Sequence, residues 1–170
     1  MSTIRRRGAR GDDRGMAVEK RRAGRVLPVL GDAVLLLRGS DPARPEDGDW
    51  WFTVGGGCED GESTATAARR EAFEEAGLTL PADLGPVVLH RVAEFSFEGV
   101  EYEQTEDFYL CRVATDAVST TGWTDVERRS LSGHRWWPFA DLARTSDVVH
   151  PAGLADLLTR LVAQPGTDPR

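Results

Sequence analysis

The sequence is poor in cysteine, with Cys58 and Cys111 as the two thiols among 170 residues. They form no CxxC pair and have no nearby histidine, so the sequence indicates neither a zinc site nor a disulfide framework. Long hydrophobic runs are missing too, because no stretch approaches the ~18 apolar residues that cross a bilayer. The N-terminal arginines lack the apolar segment of a secretory signal. These absences predict a cytoplasmic protein that is not embedded in a membrane.

The charges are divided unevenly along the chain, whose net charge is −7. Residues 1–25 carry nine basic and three acidic side chains, which leaves a strongly acidic body. Such a body binds nucleic acid poorly but suits divalent cations that hold an anionic substrate. We predict a basic tail over residues 1–23, one domain over 24–164 and a short tail over 165–170. The basic tail is expected to be solvated and disordered, with RNA or acidic lipid as alternative partners and Met16 as a second candidate start.

Apolar runs separated by turn residues predict a series of short strands. The strands are expected at residues 26–30, 33–37, 50–54, 87–89, 92–97, 108–113 and 135–138. Helices are expected at 65–76, near Asp141 and after Pro151, with an acidic loop at 98–107. Ser63 or Thr64 is expected to cap the start of the first helix, and Gly77 its end. Strands that alternate with helices in this way predict an α/β layered domain.

Three glutamates share one face of the helix predicted at 65–76. Glu71, Glu74 and Glu75 are related by spacings of three and four residues, so their carboxylates project in similar directions. Carboxylates this close raise one another's pKa unless cations intervene. Clustered hard oxygen ligands suit Mg²⁺ or Mn²⁺. Three glutamates by themselves would more often form a solvated stripe, so the residues around them decide between the two interpretations.

The glutamates belong to a longer pattern over residues 56–78. It reads Gly56, five residues, Glu62, seven residues, and then Arg-Glu-Ala-Phe-Glu-Glu-Ala-Gly-Leu. This segment resembles the Nudix box and fits it at every fixed position. The resemblance implies an α/β/α sandwich with a mixed central sheet. It also implies Mg²⁺-dependent hydrolysis of a pyrophosphate linkage in a nucleoside diphosphate derivative, such as a nucleotide, a nucleotide sugar or a dinucleotide polyphosphate.

The resemblance assigns metal ligands to individual positions. Glu71, Glu74 and Glu75 match the metal-binding carboxylates of the family, for which Mn²⁺ is a possible substitute for Mg²⁺. Gly55 matches a position whose backbone carbonyl often also binds metal. Glu59 matches an acidic loop position that supports the metal site. These five residues form the metal site that the resemblance implies.

The remaining catalytic roles are carried over in the same way. Arg70 matches the arginine that orients the catalytic glutamates, and Glu62 matches a supporting acidic position in the loop. Glu71 is the first choice for the general base that accepts a proton from the attacking water. Some branches of the family place this base in a downstream loop, where the candidates are Glu98, Glu101, Glu103 and Glu106. Glu106 is the best of these four because it stands just before the strand expected at 108–113.

An aromatic cluster lies just before the glycines of the box. Trp51 is a candidate for stacking on a nucleobase. Adjacent side chains of a strand point to opposite faces, however, so at least one of Trp50, Trp51 and Phe52 is expected in the core. The expected partner is a small phosphoanhydride, with neither a membrane nor a specific nucleic acid, and a homodimer is one possible assembly.

A catalytically weak Nudix-like module that senses or binds nucleotides is the alternative function. Such modules usually lack part of the carboxylate set or carry a DNA-binding domain, whereas this sequence has the full set. Isoprenoid diphosphate isomerisation, which uses a related fold, has no support in the sequence. The enzymatic interpretation is therefore preferred, and the particular nucleoside diphosphate derivative stays open.

Overall fold

The computed structural model describes residues 17–163, which form one eight-stranded sheet with helices packed on it. The strands are β1 (Val18–Leu30), β2 (Ala33–Gly39), β3 (Trp50–Thr53), β4 (Gly55–Gly57), β5 (Val87–Phe97), β6 (Val100–Arg112), β7 (Leu131–Pro138) and β8 (Val149–His150). The helices are α1 (Thr64–Ala76), α2 (Asp125–Ser130), α3 (Phe139–Leu142) and α4 (Leu154–Val162). None of the helices within residues 17–163 is long and apolar enough to span a membrane.

The sheet is mixed, with the main order β5-β6-β1-β2-β3-β8. Strand β1 runs parallel to β6, and β3 runs parallel to β8. The other pairs are antiparallel, including β4 with β1 and β7 with β2. The long strand β1 therefore joins the β5–β6 hairpin to the glycine strand β4, which brings three regions of distant sequence together.

Alternation along β2 divides the core into two layers. Leu35 and Leu37 pack in the layer that contains the alanines of α1. Val34 and Leu36 pack on the opposite face, in the layer that contains Leu158 of α4. Both sets are fully buried, as expected for a strand with successive side chains on opposite faces. Helices on both faces confirm the expected α/β/α sandwich with a mixed central sheet.

Helix α1 lies unusually close to the sheet. Its ends agree with the sequence, because the Ser63 side chain accepts a hydrogen bond from the Thr66 amide and Gly77 adopts a left-handed conformation. Small side chains cover its inner face, including the buried Ala72. On β1, a Cβ added to Gly24 would lie 1.8 Å from a carbonyl oxygen of this helix. Only glycine therefore permits the contact that places α1 against β1.

The start of the domain was predicted too late. Strand β1 begins at Val18, so residues 18–23 belong to the sheet rather than to a tail. Their backbone pairs in parallel with β6, while Lys20 and its neighbours keep their charges near solvent. Backbone pairing does not require apolar side chains, which explains why a basic stretch resembled a tail. The predictions for residues 1–16 and 164–170 lie outside the described residues.

The acidic segment at 98–107 was predicted as a loop, and this is wrong. Strands β5 and β6 form one long antiparallel hairpin whose turn is made by Glu98 and Gly99. Both turn residues have positive φ, 49° and 78°. Charged residues on one face of β6 alternate with buried Gln104 and Glu106 on the other. The first part of this strand, over residues 100–107, escaped prediction because its buried residues Gln104 and Glu106 are polar rather than apolar.

Candidate active site

A cleft of about 1040 Å³ brings α1, α2, β4 and β5 around one space. Its acidic side chains include Glu59, Glu71, Glu74, Glu75 and Glu127. The same cleft is also lined by the arginines Arg21, Arg25, Arg44 and Arg91. The structure thus places groups of both charges within reach of a single ligand.

Three carboxylates converge in this cleft. Glu71, Glu75 and Glu127 each offer an oxygen, and these oxygens lie within 4.8 Å of one another. Burial, together with the charge of Glu71, raises the pKa of Glu75 to about 8. Burial also raises the pKa of Glu71, although Arg70 acts in the opposite direction. Clustered, partly buried carboxylates of this kind fit a divalent cation such as Mg²⁺ or Mn²⁺.

Helical periodicity explains why Glu75 is buried while Glu74 is not. Glu75 follows Ala68 and Ala72 by seven and three residues, so it lies on the face of α1 that meets the sheet. Glu74 lies on the wall of the cleft, with its side chain 42% exposed and paired with Arg70. Glu74 is thus not one of the three carboxylates that lie within 4.8 Å of one another, whereas Glu127 is. The assignment of Glu74 as a metal ligand stays a prediction.

The glycines of β4 allow these carboxylates to lie against the backbone. The Gly55 amide donates a hydrogen bond to Glu75 Oε2 over 2.8 Å. A Cβ added to Gly56 would lie 2.5 Å from Glu71 Oε1. A larger residue at position 56 would therefore displace the Glu71 carboxylate. At position 55 an added Cβ would lie 2.2 Å from the Gly24 carbonyl oxygen, and the φ of 131° there also favours glycine. The glycines at the start of the box are thus explained by contact with its glutamates.

Glu127, which lies on α2, was not predicted from the sequence as a site residue. It was detectable only as part of a helix-capping pattern, since Glu127 Oε2 accepts from the Thr124 amide over 2.6 Å. Close contacts bring α2 to α1: a Cβ on Gly122 would lie 2.4 Å from the Glu74 carbonyl oxygen. In addition, Trp123 Nε1 donates to a carbonyl oxygen of α1 over 2.8 Å.

Arg70 holds the acidic residues of the box together. Its Nη1 donates to Glu71 Oε1 at 2.8 Å and to Glu74 Oε2 at 3.2 Å. Its Nε and Nη2 donate to the two oxygens of Glu62 at 3.2 and 3.0 Å. Nη2 also donates to the Gly57 carbonyl oxygen at 2.9 Å. Five hydrogen bonds from one planar group fix the loop and the helix relative to each other.

Glu59, in the loop after β4, and Gly55, in β4, both contact this arrangement, and their assignment to the metal site stays a prediction. Glu59 lines the cleft, and its backbone amide donates to Glu62 Oε2 over 2.9 Å. The carbonyl oxygen of Gly55, expected to face a metal, accepts a hydrogen bond from Arg25 Nη1. The side-chain contacts of Arg70 lower the pKa of Glu62, chiefly through their hydrogen bonds. Glu62 thus stays ionised as the partner of Arg70.

Glu106 is buried in β6 rather than exposed in a loop. It is 1% exposed and accepts hydrogen bonds from Arg25, Arg91 and Gln104. Burial alone would raise its pKa, but the two arginines and the hydrogen bonds hold that pKa below its ordinary value. A carboxylate that is already saturated with donors accepts a further proton poorly, so these contacts do not favour Glu106 as the general base.

Trp51 points away from the cleft, contrary to its expected role in stacking on a base. Its ring packs edge-on against Trp137 at 5.2 Å between centroids, in the core layer opposite to α1. Its Nε1 donates to Asp147 over 3.0 Å. The neighbouring Trp50 and Phe52 line the cleft instead, because alternate residues of β3 face opposite sides of the sheet.

The NUDIX domain is the family whose model matches this chain, and the match covers residues 19–158. The chain belongs to the Nudix family. The match begins inside β1 and ends inside α4, so it covers the whole sheet and both helical layers. It also contains every residue of the cleft named above. Residues 19–23, which belong to β1, are thereby part of the match to the Nudix domain.

Solved structures with the same fold include several Nudix proteins at low identity. A MutT NUDIX hydrolase from Burkholderia pseudomallei is 19% identical, with a TM-score of 0.60 over 84% of this chain and 98% of the other. The NUDIX domain of NrtR from Shewanella oneidensis, complexed with ADP ribose, is 16% identical, with a TM-score of 0.62 over 89% and 94%. A C. elegans Ap4A hydrolase is 20% identical, with a TM-score of 0.53 over 84% and 96%. At these identities the similarity establishes the fold.

Replacing Arg70 by lysine is expected to reduce turnover about tenfold to hundredfold, the usual scale for residues that orient metal ligands. Lysine keeps the charge but cannot reproduce five hydrogen bonds from a planar fork. Steady-state kinetics would measure the loss, and circular dichroism would verify that the fold is retained. Arg69→Lys, the same change one residue earlier on α1, is the control and should leave turnover nearly unchanged. Equal turnover of Arg70→Lys and wild type would contradict this role.

The raised pKa of Glu75 predicts an unusual dependence of stability on pH for metal-free protein. The pKa is about 8 in the folded state against an ordinary value of 4.5, so the folded protein holds this proton more tightly than the unfolded chain. The contribution of protonated Glu75 to the free energy of unfolding is therefore fully present below about pH 4.5. This contribution is lost as the pH rises through about 8. The melting temperature in metal-free buffer should fall between pH 5 and pH 8.5. Glu75→Gln should flatten this slope, and an unchanged slope in the variant would exclude Glu75 as its cause.

Proposed function

We propose that this Nudix protein is a hydrolase that cleaves a pyrophosphate linkage in a nucleoside diphosphate derivative, with Mg²⁺ as its metal. The observation that carries the proposal is the convergence of Glu71, Glu75 and Glu127 in a cleft of about 1040 Å³. This volume is sufficient for a nucleotide-sized ligand. Two proteins of the same fold support the ligand class, since one is complexed with ADP ribose and another is an Ap4A hydrolase.

The metal would be held by the three converging glutamates, with Mn²⁺ as a substitute for Mg²⁺. When bound, it would neutralise pyrophosphate charge and make an attacking water a stronger nucleophile. The Gly55 amide keeps Glu75 directed into the site, and Arg70 keeps Glu71 in place. The contribution of the protein is therefore to hold ionised oxygens in a fixed arrangement, which lowers the reorganisation needed during the reaction.

Glu71 is the proposed general base of the reaction. Its pKa is raised by burial, which brings its proton affinity closer to that needed near neutral pH. Its carboxylate lies in the converging set, where a water beside the scissile phosphorus would be positioned. Glu106 is instead proposed as a structural residue, because its oxygens are occupied by two arginines and a glutamine.

The decisive experiment is a hydrolysis screen over nucleoside diphosphate derivatives, performed with and without Mg²⁺. The products are separated by chromatography, because cleavage of a nucleotide sugar or a dinucleotide polyphosphate releases two phosphorylated products and no free phosphate. Nucleotides, nucleotide sugars and dinucleotide polyphosphates would be incubated with metal-free protein, and Mg²⁺ or Mn²⁺ would then be restored. We expect turnover of at least one class to be lost in chelator and to return with either metal. Full turnover after chelation would contradict the metal mechanism. No turnover on any class, together with tight binding, would support the nucleotide-sensing alternative.

A further inference from the structure

Two fully buried polar residues of β6 organise the basic part of the cleft. Gln104 is 0% exposed and Glu106 is 1% exposed. Gln104 Oε1 accepts a hydrogen bond from Arg21 Nε over 2.6 Å, and its Nε2 donates to Glu106 Oε1 over 2.7 Å. The side-chain amide of Gln104 therefore links Arg21 to the buried Glu106 carboxylate. Hydrogen bonds to both of its polar atoms fix the orientation of this amide.

Glu106 in turn holds two further arginines. Its Oε1 accepts from Arg25 Nε over 3.0 Å, and its Oε2 accepts from Arg91 Nε. Arg25 is also committed to the backbone, since its Nη1 donates to the carbonyl oxygens of Thr53 and Gly55. Two guanidinium groups thus share one carboxylate, and Arg21 is joined to it through the Gln104 amide. The three arginines leave an excess of positive charge around Glu106.

The Nη1 and Nη2 groups of Arg21 and Arg91 are free to bind a ligand in the part of the chain that the structure describes. Within residues 17–163, the hydrogen bonds of both side chains are made through Nε. Both residues line the cleft that contains the three converging glutamates. Arg21 is further held by aromatic contacts, with its guanidinium 4.1 Å from the centre of the Tyr102 ring, which stacks on Phe95. Arginines fixed in this way lose little conformational entropy when they bind an anion.

We propose that Arg21 and Arg91 bind a phosphoryl group of the substrate other than those of the cleaved linkage. The proposal rests on the proposed hydrolase function and narrows its substrate class to pyrophosphates that carry at least one additional phosphate. A planar guanidinium fork matches a phosphate group through paired hydrogen bonds. The additional phosphate lies either further along the polyphosphate chain or on a sugar hydroxyl. The glutamates and a metal would then hold the phosphoryl group that is attacked. The two arginines would hold the additional phosphate and so position the substrate along the cleft.

The direct test measures anion binding by metal-free protein with inorganic tripolyphosphate as the probe. Titration calorimetry would compare wild type with Arg21→Gln and Arg91→Gln after removal of divalent metal. Without metal, the glutamates repel the probe, so binding depends on the arginines. Each variant is expected to weaken binding at least about tenfold, the scale of a lost charge-assisted hydrogen bond. Arg112→Gln removes an exposed charge of β6 that does not line the cleft and should change binding less than about twofold.

Two results would overturn the proposal. One is wild-type protein that does not bind tripolyphosphate without metal. The other is an equal loss of affinity in Arg112→Gln, which would mean that general charge attraction causes the binding. Melting temperatures of all variants establish that they are folded before binding is compared. Arg21 and Arg91 are both partly solvent-exposed, so their replacement is not expected to unfold the domain.

A second measurement uses pairs of nucleotides that differ by one phosphate, with Mg²⁺ present. ADP and ATP extend the chain, whereas NAD and NADP differ at a ribose hydroxyl. With wild-type protein, in at least one of the two pairs, the compound with the additional phosphate should have a kcat/KM at least about tenfold higher than the other member of the pair. The ratio should approach one in the Arg21→Gln, Arg91→Gln double variant. A ratio that is unchanged by the double variant in both pairs contradicts the proposal. If none of these four compounds is hydrolysed, the wider screen described above decides on the hydrolase function, while the tripolyphosphate titration decides on the arginine site.

Discussion

Replacing Glu75 by glutamine is expected to lower kcat at least about a hundredfold, which corresponds to ~2.7 kcal/mol of barrier height. Glutamine keeps the size and helix propensity of glutamate. Its side-chain oxygen can still accept the Gly55 amide, so the local backbone should be preserved. What is lost is one of the three converging carboxylates, which the proposed mechanism places where phosphoryl charge would develop. Substrate binding should weaken much less than kcat.

The same variant should be more stable than wild type in metal-free buffer above neutral pH. Burial and the charge of Glu71 make ionised Glu75 unfavourable there, and a neutral amide removes both costs. Lower kcat with a higher melting temperature cannot be caused by partial unfolding. Glu46→Gln, an exposed position in the 3-10 turn at Pro45–Asp47, is the control and should change neither quantity. Wild-type protein that binds nucleotides tightly yet shows no turnover would instead identify a sensing module.

Replacing Glu106 by alanine is expected to lower the free energy of unfolding by about 3–5 kcal/mol, the usual cost of removing one partner from a buried ion pair. The change leaves Arg25 and Arg91, whose side chains are 15% and 29% exposed, without their shared buried carboxylate. Urea unfolding followed by tryptophan fluorescence would measure the loss. Since the arginines would repel each other more strongly, raised salt should recover part of the stability.

Glu103→Ala is the matched control for this experiment. Glu103 lies on the same strand and pairs with Lys20 over 2.9 Å, but both side chains are exposed to solvent. Exposed pairs contribute about 0–1 kcal/mol, so this variant should unfold almost like wild type. A loss in Glu106→Ala no larger than that in Glu103→Ala would show that the buried network contributes little to stability.

The box residues were assigned from sequence because their interactions are local. Glu71 and Glu75 lie one helical turn apart, and Arg70 reaches Glu71 and Glu74 within the same helix. The helix ends at Ser63 and Gly77 also follow from short-range hydrogen bonds. Fixed spacing along a helix determines these relations before any tertiary contact forms, so the pattern alone predicted the acidic cluster. The α/β/α sandwich was implied by the resemblance of this pattern to the Nudix box.

The tertiary structure decided which carboxylates converge and which do not. Glu127 reaches Glu75 from 52 positions later in the chain because two close contacts seat α2 on α1. Glu106 was expected in a solvated loop, but the hairpin turns it inward, where two arginines from other strands neutralise it. Trp51 was assigned to the cleft, yet strand alternation places it in the opposite core layer.

Sequence by itself thus determined the fold class, the helix that carries the box and the chemistry of its glutamates. Only the folded chain decided the third converging carboxylate, the arginine network of β6 and the face on which each aromatic residue lies. The physical reason is the range of the interactions involved. Helix capping and helical periodicity act over a few residues, whereas pairing of β1 with β6 joins positions about 80 residues apart. Such long-range pairing sets which polar groups are buried together, and no local pattern records it.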